Sequence, residues 1–170
     1  MVAGVAYRSA EREDLESINR IYNHYVVGSH YTFDLEPTSM AWREEWFCHY
    51  GREGRWRAFV AVAGDEVIGY STSSRLRPKP AYETSVETSI YLDEGAIGRG
   101  VGGRLYAKLF AALEGQDVHR AYAGIALPNP ASIALHERHG FKQGALFTEQ
   151  GRKFARYWDV AWYEKPLNGG

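Results

Sequence analysis

The stretch from residue 86 to residue 113 constrains the fold most strongly, because it predicts a strand, a glycine-rich turn and a helix in direct succession. Apolar and polar side chains alternate over residues 86–92, the period of a strand with two unlike faces. Apolar residues then recur at helical spacing over residues 101–113. A glycine-rich turn that opens a helix presents unpaired backbone amides and the positive end of the helix dipole. The sequence therefore predicts an anion cradle suited to a pyrophosphate, at Gly98, Gly100, Gly102 and Gly103.

Two other phosphate-binding motifs fit this turn less well. Gly98, Gly100 and Gly103 satisfy the G-x-G-x-x-G pattern of dinucleotide-binding folds, which also needs an acidic residue at the end of the next strand. That strand, predicted over residues 121–125, is followed by Ala-Leu-Pro and has no acid there. A P-loop is excluded because no Gly-Lys-Ser/Thr follows the turn.

The composition is that of an ordinary globular chain, with 170 residues, 45% hydrophobic residues and a formal charge of −1. This length suits one domain over residues 1–170. The balanced charge gives no general attraction to nucleic acid or to an anionic membrane. A lone Cys48 suits a reducing compartment, and the sequence has no pattern typical of a signal peptide or a membrane span, so we expect a cytoplasmic location. No His, Cys and acid cluster has metal-ligand spacing, so we expect no metal.

The rest of the chain alternates strands and helices without repeats or linkers, which predicts a single mixed α/β domain. We expect a first helix that begins near Glu11 with Ser9 as its N-cap and ends at Gly28, a second from Thr38, and a short one over residues 132–139. The other expected strands cover residues 5–8, 56–62, 66–74, 145–149 and 157–163.

Two motifs together resemble those of the GNAT acetyltransferases. Residues 97–102, IGRGVG, are similar to the Q/R-x-x-G-x-G/A signature whose backbone amides bind the CoA pyrophosphate in that family. Residues 129–141, NPASIALHERHGF, are similar to its N-x-x-(A/S)-x-x-L-(Y/H)-x-x-x-G-F motif. Ile97 stands where the family usually has Gln or Arg, so Arg99 or Arg104 is expected to supply the missing charge.

Shorter pieces are similar to the phosphinothricin N-acetyltransferase branch of that family, namely IYNHYV, TFDLEP, SVETSIYL and SIALHERHGF. Members of the branch acetylate the α-amine of phosphinothricin, methionine sulfoximine or methionine sulfone, and they form homodimers. The resemblance implies acetyl-CoA as co-substrate, a small amino-acid substrate and a homodimer. It also implies a GNAT-type domain, with a central twisted, mostly antiparallel sheet of about six to seven strands and about four helices.

The resemblance also implies roles for particular residues. Glu87 is expected to be the catalytic base, and His136 lies where many members place a tyrosine beside the CoA sulfur, so both are expected to be catalytic. The substrate is expected to contact Phe33, Arg75 and Arg77 together with Glu87. The expected cofactor-binding residues are Ile90, Tyr91, Leu92, Gly98, Arg99, Gly100, Val101, Gly102, Gly103, Arg104, Asn129 and Ser132.

The chemistry of amine acetylation asks for the same kinds of group. A protonated amine cannot attack a thioester, so a base must take its proton, and partial burial of Glu87 would raise its pKa usefully. Free amides of a splayed strand can stabilise the oxyanion, and His136 can protonate the leaving thiolate. An arginine fork at Arg75 or Arg77 matches a substrate carboxylate.

Two other functions stay open at this point. One is acetylation of a peptide N-terminus or a polyamine, although a polyamine site would need acids where this chain has Arg75 and Arg77. The other is an acyl-CoA-binding regulatory module with degraded catalysis, which Ile97 supports and Glu87 opposes.

Overall fold

The computed structural model describes residues 4–167, in which seven strands form one sheet flanked by four helices. This agrees with the fold class predicted from the sequence. The helices are α1 (Leu15–Gly28), α2 (Met40–Phe47), α3 (Val101–Leu113) and α4 (Pro130–Arg138). The strands are β1 (Val5–Ser9), β2 (Arg57–Ala63), β3 (Glu66–Arg75), β4 (Ser85–Leu92), β5 (Arg120–Ala126), β6 (Lys142–Lys153) and β7 (Arg156–Pro166).

The strand order across the sheet is β1-β2-β3-β4-β5-β7-β6. Within the described residues, β4 and β5 form the one parallel pair, and every other neighbouring pair is antiparallel. Helix α3 connects the two parallel strands, as a parallel pair requires a long crossover. The sheet is therefore mixed and mostly antiparallel.

The parallel pair separates soon after it begins. β4 and β5 are in register from Ser85–Arg120 to Glu87–Tyr122 and no further. Beyond that point β4 stays paired with β3 as far as Leu92, and β5 stays paired with β7. The two strands thus diverge in the middle of the sheet. We call this opening, which begins at the Glu87–Tyr122 pair, the fork.

A hydrophobic core on each face of the sheet holds the fork in place. On one face α3 packs against the sheet, with Leu105 and Val86 fully buried. On the other face α1 packs against it, with Ile18 fully buried. Burying one such aliphatic side chain contributes roughly 1.5–3 kcal/mol. Because β4 side chains alternate between faces, Val86 belongs to the α3 core whereas Tyr91 packs against the α1 core.

The start of α1 differs from the sequence prediction. Ser9 is the last residue of β1, where it pairs with Phe59, and it does not cap a helix. A short 3-10 turn precedes α1 instead, with Glu11 and Asp14 in a reciprocal capping box. The Glu11 amide donates to Asp14 Oδ2 at 2.7 Å, which satisfies one of the free donors at the start of the turn.

The closing hairpin is longer than the sequence predicts. The strands expected over residues 145–149 and 157–163 span Lys142–Lys153 and Arg156–Pro166. The register of β6 shifts between Gln143 and Ala145 and again between Phe147 and Gly151. Each shift interrupts the alternation of side chains between the two faces of the sheet. The ends of the strand therefore cannot be located from the alternation of apolar and polar residues in the sequence.

Gly102 is closely packed, a feature that the sequence motif does not report. A Cβ added there would lie 3.3 Å from Leu135, 3.4 Å from Leu92 and 3.5 Å from Ile90, all side-chain atoms. Gly102 is itself buried in α3. The missing side chain therefore lets α3 pack closely on β4 and α4, and a branched residue there would overpack the core.

No helix within residues 4–167 is long and apolar enough to cross a membrane.

Candidate active site

A cavity of about 530 Å³ runs through the fork from one face of the sheet to the other. Its walls come from the diverging parts of β4 and β5, from the start of α3, and from α4. Tyr25 and Tyr31 line its end on the α1 face. The cavity brings together many residues that the sequence predicts for the cofactor, namely Ile90, Tyr91, Leu92, Gly98, Gly100, Gly102, Gly103, Asn129 and Ser132, together with His136.

The glycine turn has the geometry of an anion cradle. Gly98 and Gly100 have φ angles of 75° and 82°, in the left-handed region that glycine adopts at low cost. No protein atom lies within 4 Å of a Cβ added at either position, so the ligand side of the turn is open. Helix α3 begins directly afterwards at Val101, where its first amides lack acceptors inside the helix. The turn therefore fits the pyrophosphate of a nucleotide-like cofactor.

Three predicted cofactor residues lie outside the cavity lining. The Val101 side chain is buried in the α3 core, so only its backbone is available to a ligand. Arg99 and Arg104 are exposed near the start of α3, where Ile97 is also 48% exposed.

Asn129 and Ser132 are joined at the start of α4. The Asn129 side-chain oxygen accepts a hydrogen bond from the Ser132 amide at 3.1 Å, which makes Asn129 the N-cap of that helix. The cap fixes the helix that carries Ser132 and His136 along the cavity wall.

Glu87 lies at the apex of the fork, as the last residue of β4 that pairs with β5. Its side chain is on the same face of the sheet as Tyr91, because the two are four strand positions apart. Burial raises the pKa of the Glu87 carboxyl above its usual range, and the nearby Arg77 guanidinium partly opposes that shift. A carboxylate with a raised pKa in this position is suited to accept a proton near neutral pH.

His136 is hydrogen-bonded through both of its ring nitrogens. Its Nδ1 lies 2.8 Å from the Ser132 carbonyl, which can only accept, so Nδ1 carries the hydrogen. Its Nε2 lies 2.8 Å from the Tyr106 hydroxyl, which therefore donates to it. Burial lowers the pKa of His136 to about 4. Both nitrogens are thus engaged within the protein and the ring is neutral at pH 7, and donation of a proton from His136 to the thiolate stays a prediction.

The two arginines predicted for the substrate have different surroundings. Arg75 is 3.5 Å from Glu83 and its guanidinium lies 5.3 Å from the Trp56 ring centroid. Arg77 lies 5.8 Å from the Trp162 ring centroid and is close enough to Glu87 to lower its pKa. The charge of Arg77 thus acts on Glu87, whereas Arg75 is paired with a carboxylate.

Phe33 lies on a loop that is attached to the closing hairpin. A Cβ added at Gly151 of β6 would clash with the Phe33 ring. The neighbouring Thr32 carbonyl accepts a hydrogen bond from Lys153 Nζ at 2.8 Å, and Lys153 is 3% exposed. This loop therefore forms a fixed wall beside β4 on the α1 face.

Sequence reasoning missed a polar cluster on that wall. The Tyr22 hydroxyl donates to Asp34 Oδ2 at 2.7 Å, and the Thr32 hydroxyl lies 2.7 Å from the same phenol oxygen. Tyr91 packs edge-on against Tyr22, with 5.1 Å between ring centroids. The density of tyrosines in α1 and the following loop was the available signal, but the residues that they meet are distant in sequence. Among residues 4–167, no group of three or more His, Cys, Asp or Glu could hold a metal ion.

Comparison with known proteins identifies the family. The chain matches the model of the acetyltransferase (GNAT) domain over residues 7–162. It is 52% identical to a phosphinothricin N-acetyltransferase of Streptomyces coelicolor over 167 residues, which cover 97% of this chain and 98% of that protein. It is 32% identical to an L-methionine sulfoximine/L-methionine sulfone acetyltransferase of Pseudomonas aeruginosa over 161 residues, or 95% of this chain and 94% of that protein.

A solved structure agrees with these sequence matches. The crystal structure of a GNAT superfamily phosphinothricin acetyltransferase from Sinorhizobium meliloti in complex with AcCoA has a TM-score of 0.90 and 32% sequence identity to this chain. The match covers 98% of this chain and 89% of that one.

The fold and the fork define an acyl-CoA-dependent acyltransferase, and the chain belongs to the GNAT family of acetyltransferases. It is an N-acetyltransferase with acetyl-CoA as its co-substrate. The resemblance noted in the sequence, both to the family and to its phosphinothricin N-acetyltransferase branch, is confirmed.

The neutral state of His136 predicts a pH-dependent stability. In the unfolded chain His136 becomes protonated below its ordinary pKa of 6.5, whereas in the folded protein it stays neutral until about pH 4. The free energy of unfolding should therefore fall on acidification through this window, by at most about 1.4 kcal/mol per pH unit from this residue. Urea unfolding at several pH values should show a shallower slope for His136→Gln than for wild type. The control is His49→Gln, at an exposed histidine. If His136→Gln has the same slope as wild type and as this control, His136 is not the buried neutral group described above.

Proposed function

We propose that this protein acetylates the α-amine of a small amino-acid analogue of the phosphinothricin, methionine sulfoximine or methionine sulfone type. The observation that carries the proposal is the half-buried carboxyl of Glu87 at the apex of the fork, whose pKa is raised by burial and lowered by the positive charge of Arg77. An α-amino acid presents an amine and a carboxylate close together, which suits a carboxylate base beside a guanidinium. The names of the Streptomyces coelicolor and Pseudomonas aeruginosa relatives support the same substrate class.

In the proposed mechanism Glu87 accepts the proton of the substrate ammonium, directly or through water, so that the free amine can attack. Arg77 binds the substrate carboxylate and orients the amine. Acetyl-CoA supplies the acetyl group as an activated thioester. Those β4 amides within Ile90 to Leu92 that point away from β3 stabilise negative charge that develops on the acetyl oxygen, since they have no strand partner on β5. The turn at Gly98 to Gly103 holds the pyrophosphate. The amine nitrogen bonds to the acetyl carbon without a covalent enzyme intermediate, the C–S bond breaks, and CoA leaves as a thiolate that takes up, through water, the proton that the new amide nitrogen loses.

A thiol-release assay tests the substrate class. The purified protein is supplied with acetyl-CoA and, separately, phosphinothricin, methionine sulfoximine, methionine sulfone, spermidine or a short peptide. We expect release of CoA with at least one of the three amino-acid analogues at a kcat/KM well above that for spermidine or peptide. Turnover of spermidine or peptide alone would overturn the proposal.

The base assignment predicts the behaviour of Glu87→Gln. This variant keeps the shape of the side chain but loses the proton acceptor, so kcat near pH 7 should fall by 10²- to 10⁴-fold, about 3–5 kcal/mol of barrier. Its rate should recover partly at high pH, where free amine is abundant, and its acetyl-CoA affinity should not change. Glu45→Gln, at an exposed glutamate of α2, is the control. A kcat within threefold of wild type at pH 7 would show that Glu87 is not the catalytic base.

The different surroundings of the arginines predict different kinetic effects. Arg77→Ala should raise KM for the amino-acid substrate at least tenfold, whereas KM for acetyl-CoA stays constant. Arg75→Ala should have a smaller effect, because Arg75 already pairs with Glu83. Steady-state kinetics with each substrate varied in turn will distinguish the two. Equal effects of both variants would contradict a special role of Arg77 and would indicate that Arg75 and Arg77 both bind the carboxylate.

The homodimer expected from the sequence stays a prediction, as does the cytoplasmic location. The hairpin of β6 and β7 exposes large apolar side chains, each about half accessible, which are available for burial in a twofold interface. These are Leu146, Phe147, Phe154 and Tyr157. Light scattering at micromolar concentration should give twice the chain mass of 19.2 kDa. The mass of a single chain would argue against the dimer.

A further inference from the structure

Trp162 of β7 lies on the same face of the sheet as Glu87. Trp162 pairs with Gly124 of β5, and Tyr122 of β5 pairs with Glu87 of β4. Paired residues on neighbouring strands direct their side chains to one face, and positions two apart on a strand share that face. The Trp162 side chain is therefore beside the opening of the fork, on the face where the proposed base lies.

Gly124 allows the indole of Trp162 to lie directly against β5. Gly124 lines the cavity two residues beyond the last pair of the parallel ladder. A Cβ added at Gly124 would lie 3.2 Å from Cζ2 of Trp162 and 3.4 Å from its Cε2 and Cη2, closer than side chains normally approach. The Trp162 Nε1 group donates to Gln150 Oε1 of β6 at 3.3 Å. The ring is thus held between the backbone of β5 and a side chain of β6.

The Arg77 guanidinium reaches this ring from the other side of the fork. Arg77 follows the end of β3, and its guanidinium carbon lies 5.8 Å from the Trp162 ring centroid. In the sheet, β4 and β5 lie between β3 and β7. Because the indole covers β5 at Gly124, Arg77 extends across β4 to reach it. The contact therefore places the guanidinium above the strands that form the fork.

The contact with Trp162 leaves the hydrogen-bond donors of Arg77 available. An aromatic ring attracts a guanidinium through its π face and supplies no carboxylate oxygen, so the N–H groups can still bind another acceptor. Within residues 4–167, Arg77 forms no ion pair, and its one hydrogen bond goes to the Leu76 carbonyl at 3.3 Å. Arg75, by contrast, is paired with Glu83. Arg77 is thus positioned without a carboxylate partner that a substrate would have to displace.

We propose that Trp162 is a positioning residue that holds Arg77 over the fork with its N–H donors free for the carboxylate of the amino-acid substrate. This inference rests on the proposed function, in which Arg77 binds that carboxylate. Gly124 serves the same purpose, because its missing side chain leaves room for the ring.

Steady-state kinetics of Trp162→Leu test this role. The KM for the amino-acid substrate should rise about threefold to fivefold, as expected for the loss of one exposed cation–π contact, whereas kcat and the KM for acetyl-CoA stay constant. Trp162→Phe retains an aromatic face and should recover most of the loss. Trp42→Leu is the matched control, because Trp42 is an exposed tryptophan of α2 that also lies over an arginine guanidinium, 5.0 Å from Arg43. An unchanged KM in Trp162→Leu would overturn the proposal.

A double variant separates positioning of Arg77 from other roles of the ring. If Trp162 acts through Arg77, adding Trp162→Leu to Arg77→Ala should leave the KM where Arg77→Ala alone puts it. A further rise equal to that of the single Trp162→Leu variant would show that the ring acts independently of Arg77, and it would overturn the proposal. If Trp162→Leu fails to fold, Gly124→Ala replaces it, since the added methyl group displaces the indole. An unchanged KM for the amino acid in Gly124→Ala would then decide against the role of Trp162.

Nuclear magnetic resonance tests the contact without turnover. The ring current of Trp162 should shift the δ-methylene resonances of Arg77, which are identified by their absence in Arg77→Ala, and Trp162→Leu should abolish that shift. Resonances that do not move would overturn the positioning role even if the enzyme acetylates an amino-acid analogue. If the wild type acetylates no amine in the panel, the proposed function fails, and with it the purpose assigned to the contact, whatever the resonances show.

Discussion

The separation of β4 from β5 is the constraint on which the rest of this structure depends. A sheet that stops pairing in its middle leaves backbone groups without strand partners, and burying them unsatisfied costs free energy comparable to a lost hydrogen bond. The protein limits that cost by placing these groups on the wall of an open cavity of about 530 Å³. The interruption that weakens the sheet is also what gives a ligand amides to bind.

The fork joins two cavity walls of different chemistry, one on each face of the sheet. On the α3 face the cavity wall combines the glycine turn with α4, whose N-cap is Asn129. On the α1 face the wall is rich in tyrosines, and Glu87 lies there with a pKa that burial raises. An anionic cofactor and a small amine can therefore approach from opposite sides of one sheet. Each face keeps its own core, so the opening between them does not divide the domain.

Sequence reasoning succeeded where the signal was local. The strand, the turn and α3 lie within one short segment, and the left-handed angles at Gly98 and Gly100 agree with the glycines found there. It failed where a side chain depends on a distant partner. The Nε2 atom of His136 accepts a hydrogen bond from Tyr106, 30 positions away, and no local pattern reports that contact. Gly102 belongs to the right motif, but its surroundings on β4 and α4 become visible only when the elements are packed.

The bond between Lys153 and Thr32 has a consequence for the order of assembly. The two residues are 121 positions apart, and closing a loop of that length costs about 4 kcal/mol in its length-dependent part. The glycine turn, by contrast, joins β4 directly to α3 and needs no long-range closure. A chain emerging from the ribosome therefore contains the elements of the cofactor cradle well before its closing hairpin can anchor the loop of Phe33. The loop of Phe33 is therefore anchored only after the cradle has formed.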